Sequence, residues 1–334
     1  MKIFTEVSFT PSAFKIAHSD QILFLGSCFA NEMHQRAQEG GFCTAVNPFG
    51  TVFNPYSLAK QLKRIQHQEF FKEEELVLNR ALYHHFDVHH SFSQPKARIL
   101  IDQVNNELTK AYQFIGKTKV AFVTLGSAFV YRHKELGEWI SNCHQIPSTQ
   151  FEKELMSIEQ LTNSLFEIKH TLRGFGVDHI VFTVSPVRHV KDGLVENARS
   201  KARLLEAVHH TIDQSDQCFY FPSYEFILDE LRDYRWFNED LLHPNQQAVS
   251  LVWEKFKEVF FSEETIRLAK EVQKVNRALA HKVQHEGSKA HGQFLQTQLS
   301  KIAALENLVN LEDQKRAFQN RWLRYSANEN SSTE

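Results

Sequence analysis

Short, wholly apolar runs alternate along this chain with longer stretches whose apolar residues recur every three or four positions. Gln21 to Leu25 (QILFL) is apolar after its first residue and stops at Gly26, the pattern of a strand buried on both faces. Lys119 to Leu125 (KVAFVTL) and His179 to Val184 (HIVFTV) repeat it, ending in Gly126-Ser127 and Ser185-Pro186. Phe42 to Val46 and Cys218 to Phe221 are shorter strands of the same kind. Helical spacing covers Cys28 to Glu39, stopped by Gly40-Gly41, and then Tyr56 to Gln66, Lys96 to Phe114, Ile158 to Leu172, Glu196 to His210 and Gln246 to Phe260. Asn47 to Gly50 and Asn54-Pro55 read as turns. Glu75 to Phe92 is irregular with a hairpin about Asn79-Arg80, and Phe129 to Ile140 is a hairpin through Leu136-Gly137.

Buried strands that alternate with helices predict an α/β sandwich, a parallel sheet with helices on both faces. Ligands of such sheets bind beyond the carboxyl ends of the strands. That rule sets Gly26-Ser27-Cys28, Gly126-Ser127 and Ser185-Pro186 on one rim. The pattern changes after about Ser262. Residues 263 to 326 are rich in Lys, Gln, Glu, Ala and Leu, with Gly287 and Gly292 their only glycines and no proline. They read as two or three helices, broken around Glu286 to Gly292, with Leu295, Leu299, Ile302, Leu305 and Leu308 as an apolar stripe. The expected organisation is a main domain over 1–262, a helical extension over 263–326 and a disordered tail over 327–334. The extension is expected to pack on the main domain, or on a second copy as a homodimer contact.

Composition narrows the function. A formal net charge of −2 over 334 residues gives no basic field to hold nucleic acid. No apolar run reaches the length of a membrane span, and the first residues carry no basic segment followed by an apolar one. The four cysteines, Cys28, Cys43, Cys143 and Cys218, form no C-x-x-C pair. A cytoplasmic protein with reduced thiols and a small-molecule partner is expected, with no cofactor.

Two stretches carry candidate chemistry. At Gly26-Ser27-Cys28, a nucleophile on a tight strand-to-helix turn meets the free N–H groups and positive dipole end of the following helix. Both favour an ionised nucleophile and an oxyanion. Ser27 and Cys28 are both candidates. Near the end of the sandwich, Asp240-Leu-Leu-His243-Pro244 precedes an amphipathic helix. Pro244 keeps His243 extended. Asp240 can fix one ring nitrogen, which leaves the other to take a proton from a nucleophile.

GSCFA at residues 26 to 30 resembles the motif that names the GSCFA-domain family of bacterial proteins. The resemblance continues, in family order, through NPFGTVFNP (47 to 55), HHSFS (89 to 93), TLGSAFVYR (124 to 132), NCHQIP (142 to 147), TVSPVRH (183 to 189), YFPSYE (220 to 225) and DLLHPN (240 to 245). The family is grouped with the SGNH, or GDSL-like, hydrolases. Their fold is a flavodoxin-like three-layer α/β/α sandwich with about five parallel strands. It hosts esterases, lipases and carbohydrate acetyl-hydrolases or transferases.

What the resemblance implies is a hydrolase or acyltransferase acting on a small O-acyl ester, such as an acylated carbohydrate, through an acyl-enzyme. Laid on the Gly-Asp-Ser block without a gap, Cys28 takes the nucleophile position; a one-residue shift restores Ser27. Gly50 of NPFG would lend an oxyanion N–H. The asparagine of the third block is absent from Gly126-Ser127-Ala128, so Ser127 or the backbone of Gly126 would substitute. Asp240 and His243 match the last block. His85, His89, His90, His144 and His189 lie in or near matched blocks and are expected to shape a polar pocket with Asn47, while Arg188 suits an anionic substrate group. The histidine spacing is also that of metal ligands, although no metal is expected. The alternative is a non-catalytic binder of a small anion, or a histidine-based metal enzyme, on the same fold.

Overall fold

The computed structural model describes residues 5–282 and 285–331. Five strands form a parallel sheet: β1 (Gln21–Gly26), β2 (Thr44–Val46), β5 (Thr118–Leu125), β9 (His179–Val184) and β10 (Cys218–Tyr220), in the order β10-β9-β5-β1-β2. Counted among themselves they run 2-1-3-4-5, the flavodoxin-like order, whose topological switch point lies between the first and third strands. Register sets the three central carboxyl ends level, with Gly26 beside Thr124 and Leu125 beside Val184. The chain therefore leaves β1, β5 and β9 on one rim, and the switch-point crevice opens between Gly26 and Gly126.

Alternate side chains of these strands face opposite helical layers, which is why each strand is apolar throughout. Leu23, Leu25, Ala121, Val123, Ile180 and Phe182 share a core with α2 (Pro55–Gln66), α3 (Ala97–Ile115), α4 (Ile158–Gly174) and α5 (Leu194–Asp213). On the other face Phe24 and Phe122 stack at 5.4 Å. Phe122 also meets Phe256 of α7 (Gln246–Phe260) at 4.6 Å. Also on the chain are α1 (Cys28–Glu39) and the single turn α6 (Ser223–Glu225), which continues into a π-turn over Phe226–Glu230. The result is the expected three-layer α/β/α sandwich.

Two small antiparallel sheets decorate it. The first is the expected hairpin, β3 (Val77–Asn79) with β4 (Leu82–His84), turning through Arg80 and Ala81 at positive φ. In the second, β6 (Phe129–His133) pairs with β7 (Trp139–Ile140) as expected and also with β8 (Phe151–Leu155). FEKEL of β8 gave no strand signal because its middle three residues are charged. Asn54-Pro55 is not a free turn: Asn54 caps α2, its Oδ1 accepting the Ser57 N–H at 2.8 Å, and Pro55 is the first helical residue.

The chain divides into two compact units. One gathers the residues to Pro11, Gln21–His34 and Thr44–Phe256. The other takes Ser12–Asp20, Gln35–Cys43 and everything from Lys257, so the division falls six residues before the composition boundary and also claims two early segments. The second unit holds α8 (Glu263–Ala280), α9 (Lys289–Leu305) and α10 (Glu312–Ser331). Val272, Leu295, Ile302 and Phe318 form its core, while Leu308 of the expected stripe is exposed. Its early segments are fastened to late ones. The Thr265 hydroxyl donates to Ile16 O at 3.0 Å and Asn276 Nδ2 to Glu39 O at 3.0 Å, and Ile16 bridges to Phe261. Residues 327–331, expected to be disordered, are the last turn of α10; 332–334 lie outside the described residues. Among the described residues no helix is long and apolar enough to cross a membrane.

Candidate active site

β1 ends in a turn that glycine makes possible. Gly26 has φ +111°, and a Cβ there would lie 2.0 Å from Thr124 O. The same carbonyl accepts the Ser27 N–H at 2.9 Å, and the Gly26 N–H donates to Asn47 Oδ1 at 2.7 Å. Ser27, just before the helix, is 1% exposed, and its Oγ has no hydrogen-bond partner among the described residues. Cys28, the first residue of α1, is partly exposed. The two candidate nucleophiles are thus in unlike surroundings, one hydroxyl sealed in the turn and one thiol within reach of solvent. Burial pushes the Cys28 thiol up. The N–H groups of Cys28 and Phe29 and the Lys201 ammonium pull it down, and Glu32 pushes it further up. Burial wins, so the helix start alone does not ionise this thiol.

The Asp240–His243 loop has the geometry its spacing predicts. His243 Nδ1 and Asp240 Oδ2 are 2.6 Å apart, and Asp240 Oδ1 accepts the N–H groups of Leu242 (2.9 Å) and His243 (3.0 Å). Those N–H groups, with the ring, hold the Asp240 carboxyl down to about 2, so it is a carboxylate at any working pH. A carboxylate on Nδ1 holds the proton there and leaves Nε2 as the proton acceptor. The loop is tied to the sheet rim where the Arg188 N–H donates to Leu242 O at 3.3 Å. Arg188 lays its guanidinium over Phe237 (4.8 Å) and Tyr234 (5.5 Å) and is in no ion pair among the described residues.

Lys201 is a functional candidate that sequence reasoning missed. It is 2% exposed, and its Nζ donates to Gly126 O and Ser185 O, both at 2.7 Å, at the carboxyl ends of β5 and β9. Burial lowers it to about 7, against a raising influence from Cys28. The signal lay in the phase of α5, where Asn197, Ser200, Lys201, Leu204, Ala207, Val208 and Thr211 are the buried positions, so the lysine sits on the inward face. His189 follows on the same rim, its N–H donating to Asn197 Oδ1 at 2.9 Å and its ring edge-on to Phe53. It is lowered to about 4 by burial, then by Lys201, Lys153 and His243, with Asp192 opposing.

The expected backbone oxyanion donors are already committed. The Gly50 N–H closes the Asn47–Gly50 turn at 2.7 Å, and the Gly126 and Ser127 N–H groups both donate to Phe53 O at 2.8 and 2.9 Å. Bonds of this length leave no free N–H for a substrate oxygen. The N–H groups facing the Cys28 thiol are those of Cys28 and Phe29. Asn47 is likewise occupied: it pins Gly26 through Oδ1, and its Nδ2 donates to Asn31 Oδ1 at 3.1 Å.

The histidine group divides. His85 is buried, its Nδ1 accepting the Asp87 N–H at 3.0 Å. His89 caps a 3-10 turn and packs on Gly50. His144 Nε2 donates to His85 O at 2.8 Å, and its ring stacks on His84 at 4.6 Å. His84, His90 and His144 line a cavity of about 270 Å³ with Asn79 and Asn142, and none of Cys28, His189 and His243 lines it. Among the described residues no three His, Cys, Asp or Glu side chains are grouped as a metal site requires.

A family model described as the GSCFA family matches residues 21–256. A second, described as the C-terminal domain of GSCFA domain proteins, matches residues 272–324. No curated protein matches the chain significantly.

Proposed function

This chain belongs to the GSCFA family, and from that premise we propose that it transfers or hydrolyses the acyl group of a small O-acyl ester, an acylated carbohydrate among its candidate substrates, through a thioester on Cys28. The observation that carries the reading is the 2.6 Å Asp240–His243 pair on a loop bonded to the sheet rim. An oriented base on a loop tied to the rim where a strand-to-helix turn presents an accessible thiol suits a nucleophilic acyl-transfer enzyme. Cys28 Sγ attacks the ester carbonyl and its proton passes to His243 Nε2. The tetrahedral oxyanion meets the N–H groups of Cys28 and Phe29. Collapse expels the alcohol, which takes the proton from His243, and leaves a thioester. Water or a second alcohol, deprotonated by the same His243, then attacks the thioester and frees Sγ.

The partial exposure of Cys28 against the sealed Ser27 hydroxyl supports the ungapped register over the shifted one. The flavodoxin-like strand order and the late Asp-x-x-His support a place among the SGNH hydrolases. A thiol nucleophile also fits reducing, cytoplasmic surroundings. A second reading rests on Arg188, whose guanidinium, near two aromatic rings and in no ion pair among the described residues, would hold a small anion without turnover.

Intact mass after brief exposure to an activated acetyl ester tests the proposal. An adduct on wild type and Ser27→Ala, absent from Cys28→Ala and His243→Ala, is the expected result. An adduct lost in Ser27→Ala and kept in Cys28→Ala moves the reaction to the serine. One that persists in His243→Ala reduces it to thiol reactivity, and no adduct on folded wild type turns to the Arg188 reading.

A further inference from the structure

Lys201 is a buried lysine whose ammonium form has no counter-ion among the described residues. Among the described residues no carboxylate pairs with it, and its two partners are carbonyl oxygens, Gly126 O and Ser185 O, at 2.7 Å. Sealing a lysine in this way is costly unless its surroundings repay it. A methionine or leucine would fill the same place on the apolar face of α5 at no such cost. The partners say where the charge sits. Gly126 closes β5, and β5 is the strand whose Thr124 O holds the Ser27 N–H and packs against Gly26. The ammonium therefore lies at the switch-point crevice, one strand over from the turn that presents Cys28.

We propose that Lys201 is a positioning residue for the thiol, its buried charge serving as the counter-ion that Cys28 acquires when it ionises. The inference rests on Cys28 as nucleophile but not on any particular substrate. The only bond that changes is S–H: the proton leaves Sγ for His243 or water, and the thiolate and ammonium then neutralise one another through a poorly polarisable interior. The groups that act on the thiol are Glu32, which opposes its ionisation, and Lys201 with the N–H groups of Cys28 and Phe29, which favour it. Lys201 in turn feels Cys28, and the same charge disfavours a proton on His189. A charge held by two fixed carbonyls keeps its place through the reaction, so it stabilises the thiolate without reorganising.

The test is the pH dependence of Cys28 alkylation by iodoacetamide, read on the peptide of residues 16–36, which contains no other cysteine. Lys201→Gln removes the charge and keeps two N–H donors for the carbonyls; Lys201→Met removes both. The expected result is an alkylation midpoint about one pH unit or more higher in both variants than in wild type. Midpoints that coincide with wild type, or a Gln variant that restores the wild-type midpoint where Met does not, would overturn the proposal in favour of a structural lysine. The wild type supplies an independent measurement if neither variant folds. Iodoacetate, an anion, should gain on iodoacetamide at Cys28 relative to the exposed Cys43 by about threefold, an advantage that shrinks with salt. A ratio at Cys28 no higher than at Cys43 would sink the idea. None of these readings needs an acyl adduct, so failure of the acyl-transfer proposal and failure of the lysine's role are told apart.

Discussion

Replacing Gly26 with alanine is the sharpest test of how the nucleophile turn is built. A Cβ at this position would lie 2.0 Å from Thr124 O, where real contacts stay beyond 3.0 Å, and φ is +111°, where side chains are strained. The backbone strain alone costs about 1–3 kcal/mol. To relieve the overlap β1 and β5 must part by about 1 Å, a shift that takes the Ser27 N–H away from Thr124 O and loosens Gly26 N–H from Asn47 Oδ1, at about 1–3 kcal/mol for each buried group left unpaired. The whole is about 3–9 kcal/mol, a large share of the 5–15 kcal/mol that holds a typical domain folded. Ser27→Ala, one residue on, removes an Oγ that has no partner, and should change stability by less than about 1 kcal/mol. Urea unfolding of the three proteins, followed by tryptophan fluorescence, measures both. A Gly26→Ala protein within about 1.5 kcal/mol of wild type, or a Ser27→Ala loss as large as that of Gly26→Ala, would refute this account of the turn.

Asp240→Asn keeps the loop, because its Oδ1 still accepts the Leu242 and His243 N–H groups, but it turns an NH₂ toward Nδ1 and moves the ring proton to Nε2. Acetyl-adduct formation should fall by about a thousandfold or more with unchanged melting, and a loss under tenfold would contradict the orienting role. His144 is held neutral by burial and lowered to about 4, against an ordinary 6.5. Between those values the unfolded chain binds the extra proton, so stability drains as pH falls from about 6.5 to 4, by up to about 3 kcal/mol for this one residue. His144→Asn, which tolerates the positive φ there, should be less stable at pH 7 yet lose about 2–3 kcal/mol less on acidification to pH 4. Urea midpoints at the two pH values would show it, and parallel losses in both proteins would discard the assignment.

The elements with the strongest patterns were legible. α1 and β9 begin and end where the spacing sets them, because one is closed by glycines and the other is buried on both faces. β8 was not legible, since an edge strand needs few apolar residues and its pairing with β6 is made by the backbone. The Asp240–His243 contact could be read because both partners lie on one short turn. The oxyanion assignments could not, because whether the N–H groups of Gly50 and Gly126 are free depends on carbonyls elsewhere, at Asn47 and Phe53, and no local pattern records that. The histidines illustrate the same limit: His84 and His144 are sixty positions apart and stack, while their neighbours His85 and His89 are spent on loop bonds. Lys201 hid in a helix rich in charge, where only the phase of the apolar face distinguishes it from the exposed Arg199 beside it.

The fastening of Ile16 and Glu39 to Thr265 and Asn276 has a consequence for how the protein is made. The two early segments of the second unit leave the ribosome well over two hundred residues before their partners, a delay of about 10–50 s at ordinary rates of synthesis. In that interval β1 and the beginning of α1 can find the strands of their own unit, while residues 12–20 and 35–43 have only each other, through His18 on Gly40 O and Phe42, and lack their late partners. A ribosome that stalls, or a stop codon anywhere before α8 is complete, therefore leaves uncovered ends at the start of the chain as well as at its broken end. Such a product exposes apolar surface at two distant places, which is what chaperones hold and proteases cut. Quality control of this protein thus turns on the completion of α8.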